Sequence, residues 1–143
     1  MNKVAIVFWS ATGNTETMAN CIAEGVASAG AEATTVAVAD ASADTLAAYD
    51  VVAFGCPAMG SEQLEEGEFE PMFAGVEGAL NGKKVALFGS YGWGDGQWMR
   101  DWCERAKGDG AVLFSEEGLI CNETPDDDAQ EACRKLGADL AKW

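Results

Sequence analysis

The chain has 143 residues, enough for one hydrophobic core that buries about 68–70% of its unfolded surface without help from metal or disulfide. Hydrophobic residues at 48% and charged residues at 23% exclude a disordered or fibrous protein. Twenty-four Asp and Glu against nine Lys and Arg leave a formal charge of −15, which repels nucleic acid and anionic membrane surfaces. There is no His, so a His-based catalytic triad is excluded and the common nitrogen ligand for metals is missing.

In chain order, Val4–Trp9 is a continuous apolar run, the pattern of a strand covered on both faces. It is too short for a signal peptide or a membrane span, so a soluble, cytoplasmic protein is expected. After the loop Ser10–Asn14, residues Met18, Cys21, Ile22, Gly25 and Val26 mark one helix face, and Gly30 stands where a helix stops. Ala33–Val38 reads as a second, weaker strand, Asp44–Ala48 as a short helix, and Val51–Cys56 as a third strand ended by Pro57.

The Glu-rich stretch 58–70 leads to a helix near Pro71–Gly78, and Lys83–Ser90 is a fourth strand. Trp98, Met99, Trp102 and Ala106 share a helix face. Ala111–Phe114 and Leu119–Cys121 form a fifth strand in two pieces, bent at Glu116-Glu117-Gly118. Thr124-Pro125-Asp126-Asp127 predicts a last helix capped by Thr124, with Cys133, Leu136 and Leu140 on its buried side. Five strands alternating with helices predict one domain over residues 1–143, a parallel sheet with helices on both faces. Cys21, Cys56, Cys103, Cys121 and Cys133 contain no C-x-x-C pair and read as reduced, packed thiols.

In such sheets ligands bind beyond the carboxyl ends of strands. Three segments there look unlike plain connections. Ser10-Ala11-Thr12-Gly13-Asn14-Thr15 gathers hydroxyl and amide groups around a Gly just before a helix, where free N–H groups and the helix dipole attract an anion. It holds no Lys or Arg, and no G-x-x-x-x-G-K-[ST] occurs, so a single phosphate fits better than a nucleoside triphosphate. Ser90-Tyr91-Gly92-Trp93-Gly94 sets large aromatics in a Gly-rich loop, suited to stacking on a flat ligand. Pro57-Ala58-Met59-Gly60-Ser61-Glu62 supplies an adaptable apolar contact and a Gly free to take positive φ. Each alone also reads as a cap, a packed Trp or an ordinary turn; together they form a phosphate cup, a flexible turn and an aromatic plate on one rim.

The motifs W-S-A-T-G-N-T-E at 9–16, G-C-P-A-M-G-S-E at 55–62 and G-S-Y-G-W-G at 89–94 resemble the short-chain, clostridial-type flavodoxins over essentially the whole chain. The resemblance implies a five-stranded sheet of order 2-1-3-4-5, an order of which flavodoxin itself is the standing example. It implies a low-potential carrier of single electrons on tightly, non-covalently bound FMN. Ser10, Ala11, Thr12, Gly13, Asn14 and Thr15 would then hold the phosphate. Met59 and Trp93 would flank the ring on opposite faces, Met59, Gly60, Ser61 and Glu62 would line its N5 edge, and Pro57 and Ala58 would belong to the same binding site. Ser90, Tyr91, Gly92 and Gly94 would approach by backbone, and Asn122 from the fifth strand. Ala11 departs from the Gly that many relatives carry, so its backbone is expected in an ordinary region.

The implied partners are redox proteins met in transient electrostatic encounters, with the chain a monomer and free of metal, nucleic acid and membrane. Two other readings compete. An FMN-dependent NAD(P)H:quinone reductase needs a second pocket and a basic dinucleotide site, and no basic cluster occurs. A phospho-acceptor signalling domain needs acids after strand one and an Asp after strand three, where Ser10-Ala11-Thr12 and Pro57-Ala58 stand.

Overall fold

A computed structural model describes residues 1–143. Strand β1 (Lys3–Phe8) leads through the Ser10–Gly13 loop into α1 (Asn14–Ser28), then β2 (Glu32–Thr35), α2 (Ala43–Ala47) and β3 (Val51–Gly55). Helix α3 (Phe69–Val76), β4 (Lys84–Tyr91), α4 (Gln97–Gly108), β5 (Val112–Leu113), β6 (Leu119–Asn122) and α5 (Asp127–Lys142) follow. Short 3₁₀ turns lie at Val38–Asp40 and Glu77–Ala79. The sheet order is β2-β1-β3-β4-β5, with β6 also paired to β4, and every pair is parallel. This is the 2-1-3-4-5 order that the resemblance implied.

The apolar runs are unbroken because both sheet faces are covered. On β1, Val4 and Ile6 point toward α1 and α5, while Ala5 and Val7 point toward α3 and α4; Val51 and Ala53 against Val52 and Phe54 repeat this on β3. One face carries Met18, Ile22, Val26, Cys133 and Leu140, the other an aromatic cluster of Phe54, Phe69, Phe73 and Trp102. Each such large side chain contributes roughly 1.5–3 kcal/mol on burial.

Helices α1 and α5 approach closely through two glycines. A β-carbon on Gly25 would overlap the Arg134 carbonyl oxygen, and one on Gly137 would overlap that of Ile22.

Three local expectations need correction. The second strand ends at Thr35 rather than Val38: Val36 makes one more bond to the Ile6 carbonyl and is buried, and the chain then leaves the sheet as a 3₁₀ turn. The bent fifth strand is two separate strands sharing one edge of β4, in register Lys84↔Val112 and Phe88↔Leu119. Helix α5 is capped by Asp126, whose carboxylate accepts the Ala129 N–H at 2.8 Å, and not by Thr124. A carboxylate caps at least as well as a Thr hydroxyl and is favoured at the positive helix end, so Pro125 is left outside the helix.

Candidate functional site

The carboxyl ends of β1, β3 and β4 open onto a cleft of about 200 Å³. Five residues of the Ser10–Thr15 loop line it, with Pro57–Met59, Ser90–Gly92 and Glu123. The three segments picked out in the sequence are thus neighbours in space. Gly13 turns the first loop at φ 96° behind the lining surface. Gly60, Ser61, Glu62, Trp93 and Gly94 continue the second and third loops beyond the cleft, and Asn122 lies beside it.

The first loop is arranged around Ser10. Its hydroxyl oxygen accepts the N–H groups of Gly13 (3.2 Å) and Glu16 (3.3 Å), which fills both lone pairs and leaves its proton to donate outward. The N–H groups of Thr12, Asn14 and Thr15 have no acceptor in the protein, and Gly13 offers α1 no side-chain cap. Ser10 thus caps only the Glu16 N–H, and this fifteen-residue helix points its positive end into the cleft with the Asn14 and Thr15 N–H groups free. Unbonded donors, with no Lys or Arg among the lining residues, suit a phosphate monoester held by neutral groups, so the donor set fits that part of FMN. Ala11 is not among the residues with positive φ, as its departure from Gly requires.

The second wall is a small hairpin. Met59 and Gln63 exchange two backbone hydrogen bonds, at 2.9 and 3.0 Å, around Gly60 (φ 47°) and Glu62 (φ 55°). Two anchors hold its base. The Glu65 N–H donates to the buried Cys56 Sγ at 3.4 Å, and the Glu65 carboxylate accepts the N–H groups of Gly67, Glu68 and Phe69 at 2.7–2.9 Å. Burial works to raise the Glu65 pKa, but the three backbone donors outweigh it and hold the carboxyl below the usual range. Burial pushes the Cys56 thiol up to about 12, so it serves as a packed, neutral partner.

The third wall turns on two tryptophans. Trp98 is buried, donates its indole N–H to the Cys56 carbonyl at 3.1 Å and packs against Tyr91 with ring centroids 5.5 Å apart. Trp93 is 66% exposed, a large apolar plate on the loop after β4. Glu62 does not face the cleft: its carboxylate accepts the Gln97 N–H at 3.1 Å, at the start of α4. Asn122 spends its amide on the Tyr91 carbonyl (3.3 Å), which also accepts the Glu123 N–H (2.7 Å). Glu123, with φ 56°, lines the cleft and was missed in the sequence; its place just beyond the fifth strand's carboxyl end was the available signal.

Fold and site together define a class: a doubly wound α/β protein with an anion-attracting helix end and an exposed aromatic plate at the carboxyl edge of its sheet. The family model described as Flavodoxin matches residues 6–137. A flavodoxin of Clostridium beijerinckii is 48% identical over 136 residues, 95% of this chain and 97% of that one. A flavodoxin of Megasphaera elsdenii is 48% identical over 139 residues, 97% and 98% of the two chains. The solution structure of the two-electron reduced Megasphaera elsdenii flavodoxin matches with a TM-score of 0.86 at 45% identity, covering 98% of this chain and 99% of that one.

The chain belongs to the flavodoxin family. It is an FMN-binding electron carrier that passes electrons to and from redox partners, and the quinone reductase reading is not favoured.

Proposed function

We propose that FMN occupies the cleft with its phosphate in the Ser10–Thr15 cup and its ring between Met59 and Trp93. The observation that carries this is the set of free N–H groups at Thr12, Asn14 and Thr15 at the N-terminus of α1, in one cleft with the ends of β3 and β4. Bound FMN supplies one-electron chemistry; the chain's residues hold and orient it. The hydroxyls of Ser10, Thr12 and Thr15 and the Asn14 amide donate to the phosphate. Pro57 and Ala58 follow the ribityl chain, and Ser90, Tyr91, Gly92 and Gly94 approach the ring by backbone. The Met59–Glu62 turn borders the ring's N5 edge, and Asn122 steadies Tyr91 beneath it.

Charge distribution supports transient, electrostatically guided docking at this edge. Glu62, Glu66, Glu68, Asp95 and Glu123 lie on the cleft loops, and the cations beside those loops are paired, Arg100 to Asp95 at 2.9 Å and Arg105 to Glu70 at 2.7 Å. Lys3, Lys83 and Lys84 stand at or just before strand starts, at the opposite end of the sheet. A redox partner with a basic patch beside its own cofactor would be steered to the FMN edge, faster at low salt. The same reading takes the chain as a monomer at work in the cytoplasm. No helix is long and apolar enough to cross a membrane.

The test is flavin selectivity. Each lost charge-assisted hydrogen bond costs about 1.5–3 kcal/mol, so FMN should bind more than ~100-fold tighter than riboflavin. FAD should bind poorly, since its second phosphate meets no Lys or Arg. Equal affinities for FMN and riboflavin would remove the assigned role of residues 10–15.

A further inference from the structure

Thr15 and Ser90 are the two polar residues in the buried set, at 1% and 5% exposure. They come from the first turn of α1 and from β4, 75 residues apart, and both line the cleft. Their hydroxyl oxygens are 3.1 Å apart, and the Ser90 N–H also donates to Thr15 Oγ1 at 3.4 Å. A hydroxyl has one proton and two lone pairs. The Ser90 amide fills one lone pair of Thr15, so the contact between the hydroxyls decides the rest.

Two proton orders are open. If Thr15 donated to Ser90, its remaining lone pair would be left for the cleft, repelling an anion there. If Ser90 donates to Thr15, both Thr15 lone pairs are filled and its proton is left for the cleft. Thr15 has no competing use for that proton. Thr17, two residues further on, donates its hydroxyl back to the Gly13 carbonyl at 3.0 Å, but Thr15 makes no such bond. An anion at the helix end selects the second order.

We infer that Ser90 is a positioning residue for phosphate recognition: it sets the Thr15 hydroxyl as a donor and strengthens it through the chain Ser90 O–H to Thr15 O–H to phosphate. Ser90 thereby selects phosphorylated flavin without touching the phosphate. This rests on the reading of residues 10–15 as the phosphate cup. Hydrogen bonds in series polarise one another, and the effect is larger where water is excluded, as it is around these two side chains.

The full chain, loaded with FMN or with riboflavin, is diluted and the released flavin measured to give both dissociation constants. The readout is their ratio, for wild type, Ser90→Ala, Thr15→Val and the double variant. Ser90→Ala should cut the ratio of riboflavin to FMN dissociation constants roughly three- to tenfold, with a wild-type circular dichroism spectrum as the check that the variant is folded. Thr15→Val should cut it further, and adding Ser90→Ala to it should change nothing more, because the relay has lost its middle member. An unchanged ratio in Ser90→Ala, or a further fall in the double variant, would overturn the relay while leaving the cup intact. Equal affinities in wild type would overturn the cup, and the relay with it.

Discussion

Glu62 caps the start of α4 from another loop, its carboxylate accepting the Gln97 N–H at 3.1 Å across 35 residues. Gly94 makes room for this: a β-carbon there would fall 2.5 Å from Glu62 Oε1. The contact joins the hairpin that carries Met59 to the loop that carries Trp93, so the two walls proposed for the ring are tied to each other. Losing a helix cap costs about 0.5–2 kcal/mol, and Glu62→Ala should lower unfolding stability by that amount. It should also weaken FMN and riboflavin alike, because the wall and not the cup is loosened. Urea unfolding and flavin titration check both parts; a variant of wild-type stability would show the cap to be idle.

Gly60 has φ 47° with no atom within 4 Å of a would-be β-carbon, so only backbone conformation opposes a larger residue. Holding an L-residue there costs roughly 1–2 kcal/mol, more for a β-branched one. If the Met59–Glu62 turn borders the ring's N5 edge as proposed, Gly60→Val should keep FMN bound, because the phosphate cup is untouched, but would restrict the backbone conformations that turn can offer N5. At about 59 mV per 1.4 kcal/mol, the midpoint of the first one-electron step should fall by tens of mV. Spectroelectrochemical titration measures it, and an unmoved midpoint would reduce Gly60 to an ordinary turn residue.

Glu65 ties pH to the hairpin. Its folded pKa is lowered, so its contribution to stability is present above the ordinary Glu value of 4.5 and is lost as pH falls through the lowered one. Glu65→Gln keeps the shape but weakens the three backbone hydrogen bonds. Wild type should therefore be more stable than the variant at pH 7, with the gap closing in acid below pH 4.5. Denaturant midpoints across that range give the answer. A gap independent of pH would mean that the charge on Glu65 contributes nothing.

The α1–α5 contact has no room for one more carbon. Gly137→Ala would drive its methyl against the Ile22 carbonyl, which cannot give way without moving the helix. Overpacking of this kind costs typically about 1–3 kcal/mol, and thermal unfolding should show the loss. An alanine variant as stable as wild type would mean that α5 shifts freely on α1, contrary to the close packing seen.

The amino-acid sequence by itself determined the layered fold and the position of the site. The runs Val4–Trp9, Val51–Cys56 and Val85–Phe88 are nearly or wholly apolar, which is stable only where helices cover both faces of a parallel sheet. Once the strands are parallel, their carboxyl ends share one edge, and the loops at 10–15, 57–62 and 90–94 must meet there. What tertiary structure decided is how individual polar groups are spent. Glu62 turned to Gln97, Glu65 to three amides, Asn122 to Tyr91, Ser90 to Thr15, and Asp126 took the cap expected of Thr124. Periodicity reports which face of an element is buried, because burial follows area along the chain. A hydrogen bond depends on angstroms between segments far apart in sequence, and only the packed molecule sets those.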